Sequence, residues 1–157
     1  LVKGNDTLLF YYDSDGNATS FSYNGTMYFY VKNLQGDVVR IIDLAGTEVA
    51  SYVYDAWGNI KDTKGEPTIR EINPIRYRGY VYDTETSLYY LQSRYYDPFT
   101  GRFLNADEIS YMFINDSVIG SNAFSYCDNN SINAVDSDGF KSKKNIFAYH
   151  LISCHGE

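Results

Sequence analysis

The sequence predicts an all-β fold of consecutive antiparallel hairpins, followed by a less regular end that holds short helices. Three observations predict it. An acidic or amide residue three positions before a glycine recurs in Asp13-Ser-Asp-Gly16, Asn33-Leu-Gln-Gly36, Asp43-Leu-Ala-Gly46 and Asp55-Ala-Trp-Gly58. Seventeen Tyr and nine Phe stand against three Pro and two Met, a composition that suits strands with amphipathic faces. Between the turn units, a strand period near two competes well with the helix period.

Each turn unit reverses the chain for a physical reason. The Asp or Asn at its start bonds to the backbone ahead, and the glycine takes the positive φ that closes the turn. Between the turns, Phe21-Ser-Tyr23, Met27-Tyr-Phe-Tyr-Val31, Val38-Val-Arg-Ile-Ile42 and Val49-Ala-Ser-Tyr-Val-Tyr54 carry β-branched and aromatic residues that fit a pleated sheet. Residues 8–60 are therefore read as consecutive antiparallel strands, and 1–60 as one block of hairpins. Residues 61–74 are polar, carry Gly65, Pro67 and Pro74 and lack periodicity, which predicts a loop. Strands resume in Ile75-Arg-Tyr-Arg-Gly-Tyr-Val-Tyr-Asp83 and in Leu88-Tyr-Tyr-Leu-Gln-Ser-Arg-Tyr-Tyr-Asp97, with residues 84–87 as their turn. Both faces of the second of these are partly aromatic, which predicts cover on two sides. Residues 106–121 are read as a short helix or two, and Ala123-Phe-Ser-Tyr-Cys127 as a last short strand or helix.

Bulk properties narrow the function classes. At 157 residues the expectation is one domain. The formal charge is −7, and the thirteen Lys and Arg are scattered apart from Lys141-Ser-Lys-Lys144, which speaks against a nucleic-acid groove. Apolar runs such as Val38–Ile42 fall far short of the roughly 20 residues a membrane helix needs, so no membrane span is expected. Nothing before Asp6 resembles a secretion signal, the expectation for a fragment or for a leader that lies elsewhere. Cys127 and Cys154 are too few for a disulfide framework and leave the redox compartment open. The five Asn-x-Ser/Thr triplets, at Asn5, Asn17, Asn24, Asn115 and Asn129, are read as chance in an Asn-rich chain. His150, Cys154 and His155 lie in a short tail, and a closed zinc site wants four ligands, so neither a metal nor a cofactor is expected.

One long ordered pattern carries a resemblance. Arg76-Tyr-Arg-Gly-Tyr-Val-Tyr-Asp83, then Leu88-Tyr-Tyr-Leu-Gln-Ser-Arg-Tyr-Tyr-Asp-Pro-Phe-Thr-Gly-Arg-Phe-Leu104, then Asp107, is similar to the Rhs-associated core of bacterial tyrosine-aspartate (YD) repeat proteins. Asn129-Asn-Ser-Ile-Asn133 and Asp136-Ser-Asp-Gly-Phe140 look like the motif that ends that core. The resemblance implies a spiralling β-shell of hairpins, closed at one end by a core plug at residues 75–140, with residues 141–157 as a stub of variable cargo. In many such proteins the cargo is a toxin, and the core releases it by aspartyl self-proteolysis. The implied partners are the protein's own upstream YD repeats and its C-terminal cargo, and the implied location is secreted or on a bacterial cell surface.

An aspartyl protease needs one carboxylate to activate water and one neutral carboxyl to polarise the scissile carbonyl. Carried over by motif, the pair is Asp107 and Asp136, the bond cut is Phe140–Lys141, and Arg102 is the candidate to orient one acid by a bidentate contact. The sequence departs from the family pattern at Ser87, Glu108, Ser131, Ser137 and Phe140, the family having Gly at the first, Pro at the next three and Leu at the last. Losing Pro near the cut frees φ where proximity catalysis wants it fixed.

Simpler roles cover most other residues. Asp13, Asp43 and Asp55 are expected to hold turns, and Trp57 to be a packing anchor. The Tyr ladder is expected to pack across strands, its rival use being an exposed platform for a cell-surface glycan. The leading function is a structural shell module that presents or releases a C-terminal polypeptide. The rival class is an extracellular adhesion or carbohydrate-binding module.

Overall fold

The computed structural model describes residues 2–3, 6–106, 124–136, 139 and 143–144. Where length alone suggests one domain, the contacts divide the chain into two compact units: Leu1–Tyr54 with Ile60–Gly79, and Asp55–Asn59 with Tyr80–Glu157.

The first unit is a seven-stranded antiparallel meander whose spatial order is its sequence order. Its strands are β1 (Val2–Lys3), β2 (Asp6–Tyr12), β3 (Ala18–Tyr23), β4 (Thr26–Lys32), β5 (Val38–Ile42), β6 (Glu48–Tyr54) and β7 (Ile60–Gly65). The four repeated turn units share one geometry. In each, the first residue and the fifth exchange a backbone bond of 2.9–3.0 Å, and the glycine N–H closes back on the first carbonyl at 3.0–3.1 Å. The side-chain Oδ1 of the first residue accepts the N–H groups of the third and fifth, for Asp13, Asn33, Asp43 and Asp55 alike. One carboxylate or amide oxygen thus replaces the ladder bonds that a reversing backbone loses. The strand register shifts beside every one of these turns, at Tyr11/Tyr12, Val31/Lys32, Ile41/Ile42 and Val53/Tyr54. Bulges of this kind bend the strand and increase its twist, so the repeat builds in curvature. The turn between β3 and β4 is the two-residue Asn24-Gly25, both at positive φ, the geometry that matches strand twist.

The core of this unit is formed by Leu8, Phe21, Val38, Ile41, Ala50, Tyr52, Ile69 and Ile75, with Phe10, Tyr28 and Tyr30 packed against it. One of those core residues, Ile69, corrects the sequence reading. Residues 61–74 are not a loop: 60–65 form β7, paired residue by residue with β6, and Pro67–Ile72 is a helix, α1, whose Ile69 is buried. β7 is a polar edge strand held by its backbone, so it carries no hydrophobic pattern to be read. Pro67 sits at the start of α1, where its missing N–H costs nothing.

The second unit holds a four-stranded antiparallel sheet in the order β11-β10-β9-β8, from β8 (Val81–Asp83), β9 (Leu88–Tyr90), β10 (Tyr95–Asp97) and β11 (Arg102–Phe103). A further pair joins β12 (Ala134–Val135) to β13 (Lys143–Lys144). Tyrosine rings pack in series on this sheet: Tyr82 tilted against Tyr89 at 4.9 Å between centroids, Tyr89 stacked with Tyr96 at 6.4 Å and Tyr96 tilted against Tyr126 at 4.2 Å. The turn Asp55–Asn59 belongs to this unit. Tyr89 donates its hydroxyl to the Gly58 carbonyl at 2.9 Å, Tyr96 to that of Trp57 at 2.7 Å, and Asn59 Nδ2 reaches the Pro98 carbonyl at 2.8 Å. Trp57 is the expected anchor, lying so close over Gly101 that a Cβ there would stand 3.0 Å from the indole.

The short helices expected over 106–121 fall on residues of which 107–121 lie outside the described residues. At 123–127 the expectation of a strand or helix gives way to an isolated bridge at Ser125 and a tight turn, Cys127–Asn129. Its three residues have φ of 51, 52 and 60°, a left-handed run that costs about 1–2 kcal/mol per residue. Bonds from the N–H groups of Asn129, Asn130 and Ala134 offset that cost. Among the described residues no helix is long and apolar enough to cross a membrane.

Candidate functional site

β12 delivers Asp136 into the interior of the second unit, where it is 2% exposed. Burying a carboxylate is costly unless its oxygens are matched, and here both are. Oδ1 accepts the backbone N–H of Gly139 at 2.8 Å, and Oδ2 lies 3.4 Å from Nη2 of the buried Arg94. The Asp136 backbone carbonyl accepts the Tyr80 hydroxyl at 2.6 Å, and that hydroxyl lies 3.0 Å from the hydroxyl of Tyr126. Asp136 is therefore fixed through its side chain and its backbone at once.

Arg94 comes from the tight turn between β9 and β10. Leu91 N–H bonds to the Arg94 carbonyl at 3.0 Å and Ser93 N–H to the Leu91 carbonyl at 2.7 Å, with Gln92 at φ 64°. This turn swings the arginine inward, where its guanidinium carbon lies over the Phe103 ring, 3.7 Å from the centroid. Its Nε donates to the Gly139 carbonyl oxygen. Gly139 is seated directly on the same turn, and a Cβ there would overlap Ser93 Oγ and come within 2.9 Å of the Leu91 carbonyl oxygen.

Of the residues expected at the site, Asp136 is buried and held as described, while Asp107, Phe140 and Lys141 lie outside the described residues. Arg102 is exposed on β11, opposite Asp97 and bridged to Ser125. The arginine on Asp136 is Arg94, which lay within the run that carries the resemblance but reads there as one more strand residue. A usable signal was its place among four aromatic neighbours in a run expected to be covered on both faces. The turn aspartates Asp13, Asp43 and Asp55 hold turns, and the tyrosines pack mainly across strands, with Tyr11, Tyr12, Tyr90 and Tyr95 left exposed. His150, Cys154 and His155 lie outside the described residues; among those described, no three His, Cys, Asp or Glu side chains group as metal ligands.

A bulged meander of Asp-x-x-Gly hairpins and a second, tyrosine-rich unit that buries Asp136 define a structural module of the YD-shell class. The family model described as teneurin YD-shell matches residues 3–132, and the chain belongs to that family. The chain is 41% identical over 128 residues to the tRNA3(Ser)-specific nuclease WapA of Bacillus spizizenii, covering 82% of this chain and 5% of that protein. It is likewise 41% identical over 144 residues to the tRNA nuclease WapA of Bacillus subtilis, covering 84% of this chain and 6% of the relative. The crystal structure of TcdB2-TccC3 shares the fold, with a TM-score of 0.73 at 23% identity over 86% of this chain and 7% of that one. The chain thus spans only a small part of the proteins it matches.

Proposed function

We propose that this module closes the end of a YD shell in a secreted or surface bacterial protein, docks on upstream repeats of the same polypeptide, and releases the segment after Phe140 by self-cleavage. The observation that carries the reading is Asp136, a buried carboxylate at the head of the closing motif, four residues before the bond to be cut. Asp136 accepts hydrogen bonds at both oxygens, which suits the carboxylate role; Asp107 takes the neutral one. Asp136 takes a proton from water as the water oxygen bonds to the Phe140 carbonyl carbon, and Asp107 gives its proton to the carbonyl oxygen. The tetrahedral adduct collapses, the C–N bond breaks, the Lys141 nitrogen takes the proton held by Asp136, and Asp107 recovers its own.

Intact-mass analysis of freshly purified protein, incubated from mildly acidic to neutral pH, tests the reading. The expected result is loss of residues 141–157 in the parent and none in Asp107→Asn or Asp136→Asn, at a rate independent of protein concentration. Ser137→Pro speeds the cut by restoring a fixed φ beside Asp136. A chain that stays whole both as the parent and as Ser137→Pro overturns the self-cleavage reading and leaves Asp136 a structural anchor.

A further inference from the structure

The four-stranded sheet of the second unit has two unlike faces. Side chains alternate along a strand, so Tyr89 and Tyr96, both fully buried, leave Tyr90 and Tyr95 on the other side, where they are 40% and 43% exposed. These two stand directly opposite each other on β9 and β10. Tyr95 turns its backbone carbonyl the other way, to the Leu104 N–H at 2.9 Å. Tyr90 and Tyr95 are thus a non-hydrogen-bonded pair, the kind that brings side chains closer. Their ring centroids lie 5.1 Å apart, with the planes tilted by 41°. The Tyr90 hydroxyl donates to the Gln92 carbonyl in the turn that follows, which fixes one ring of the pair. Tyr11 and Tyr12, also exposed, have no phenol opposite them, standing across from Ser20 and Ala18 on β3.

We propose that Tyr90 and Tyr95 form an oxidative modification site, joined by a one-electron oxidant into a dityrosine that staples β9 to β10. A haem peroxidase with hydrogen peroxide is the class of oxidant that fits, because both phenols are open to solvent. Each phenol gives up one electron and its hydroxyl proton, and together these reduce one peroxide to two waters. The two phenoxyl radicals then form one bond between ring carbons ortho to their oxygens. Each of those carbons passes its hydrogen, as a proton, to the oxygen of its own ring, which restores both phenols. The net loss is two hydrogen atoms. Radicals held as a pair couple without a diffusional encounter, so proximity favours this link over links between chains. The staple spans the turn of residues 91–94 and ties together the strands on either side of Arg94.

The test treats the 157-residue chain with a haem peroxidase and hydrogen peroxide, then reduces the product with thiol, which opens any disulfide and leaves a carbon–carbon bond intact. Intact mass and trypsin digestion read the result. Trypsin cuts after Arg78, Arg94 and Arg102, so the staple joins two peptides, residues 79–94 and 95–102, that otherwise separate. The expected product is a monomer lighter by two hydrogens, formed in a yield independent of protein concentration, with fragmentation placing the bond between Tyr90 and Tyr95. Tyr90→Phe and Tyr95→Phe are each expected to abolish the joined peptide, while Tyr11→Phe keeps it at the parent's level. A link that persists in Tyr95→Phe, that joins Tyr89 or Tyr96 instead, or that forms only between separate chains overturns the proposal, as does a parent whose tyrosines stay unlinked. Should Tyr90→Phe fold poorly for want of its bond to Gln92, Tyr95→Phe decides by itself.

Discussion

Among the four turn units, three open with Asp, but the second opens with Asn33 and carries its carboxylate at the fifth position, Asp37. The exchange has a physical cause. Asp37 is buried and accepts the Arg78 backbone N–H at 2.9 Å, with Arg78 Nε 3.7 Å away, so this turn must place a carboxylate at its end. Asn33 Nδ2 then donates to Asp37 Oδ2 at 2.7 Å, a distance at which a second carboxylate would repel. Asp37→Asn is expected to destabilise the protein by about 3 kcal/mol, because it removes the carboxylate facing a buried guanidinium. Asp43→Asn, in an exposed turn where an amide oxygen can accept the same bonds, is expected to cost about 0.5 kcal/mol. Urea midpoints that fall equally for the two variants would show that the Arg78 contact contributes nothing. The turn chemistry was legible in the sequence because it is local, within five residues. The Asp37–Arg78 contact spans 41 positions, and the inward swing of Arg94 depends on the turn from Leu91 to Arg94, so neither leaves a periodic trace.

At the scale of elements, α1 shows why a polar stretch with two prolines and a glycine was misread. Glu66 at its N-terminus makes no side-chain cap bond, and six residues are too few to be stable as an isolated helix. What holds α1 is tertiary: Ile69 buried in the core, the Tyr52 hydroxyl on the Arg70 carbonyl at 2.8 Å, and Arg76 Nη2 on the same carbonyl at 3.2 Å. Asn73 ends the helix fully buried, accepting the Tyr30 hydroxyl at 2.8 Å and donating to the Ile75 carbonyl at 2.7 Å. Ile69→Ala is expected to cost about 2–5 kcal/mol, and to raise amide exchange at Arg70 and Asn73 before it does so in β3 and β4. Uniform acceleration across the unit would mean that α1 is no separable element. The strands were legible because each repeats the same turn-and-pattern signal, whereas β7 and α1 owe their form to partners elsewhere in the chain. The site was legible only in part, since Asp136 is named by its motif while its partner Arg94 emerges from packing.

At the scale of the whole molecule, stability is bounded on both sides of neutrality by groups the fold itself perturbs. Bonds from Asn17 hold the Asp13 carboxyl below its ordinary value of 3.8, and bonds from Thr86 and Glu85 do the same for Asp83. A carboxyl whose folded value is lowered binds fewer protons than in the unfolded chain, so its contribution is present above about pH 4 and lost as pH falls through the folded value. Burial raises the Tyr30 and Tyr52 hydroxyls above their ordinary value of 10.0. Here the folded state holds the proton more tightly, so the contribution is present below about pH 10 and falls away above it. The urea midpoint is therefore expected to form a plateau that declines at both ends. Asp13→Asn and Asp83→Asn should each flatten the acid decline, and Tyr30→Phe should flatten the alkaline one. Because Tyr30→Phe also takes the hydroxyl from Asn73, its plateau should lie lower than the parent's by about 1 kcal/mol, and only its slope above pH 10 should be shallower. A Tyr30→Phe curve that runs parallel to the parent's up to about pH 11 would mean that the Tyr30 hydroxyl does not couple folding to pH.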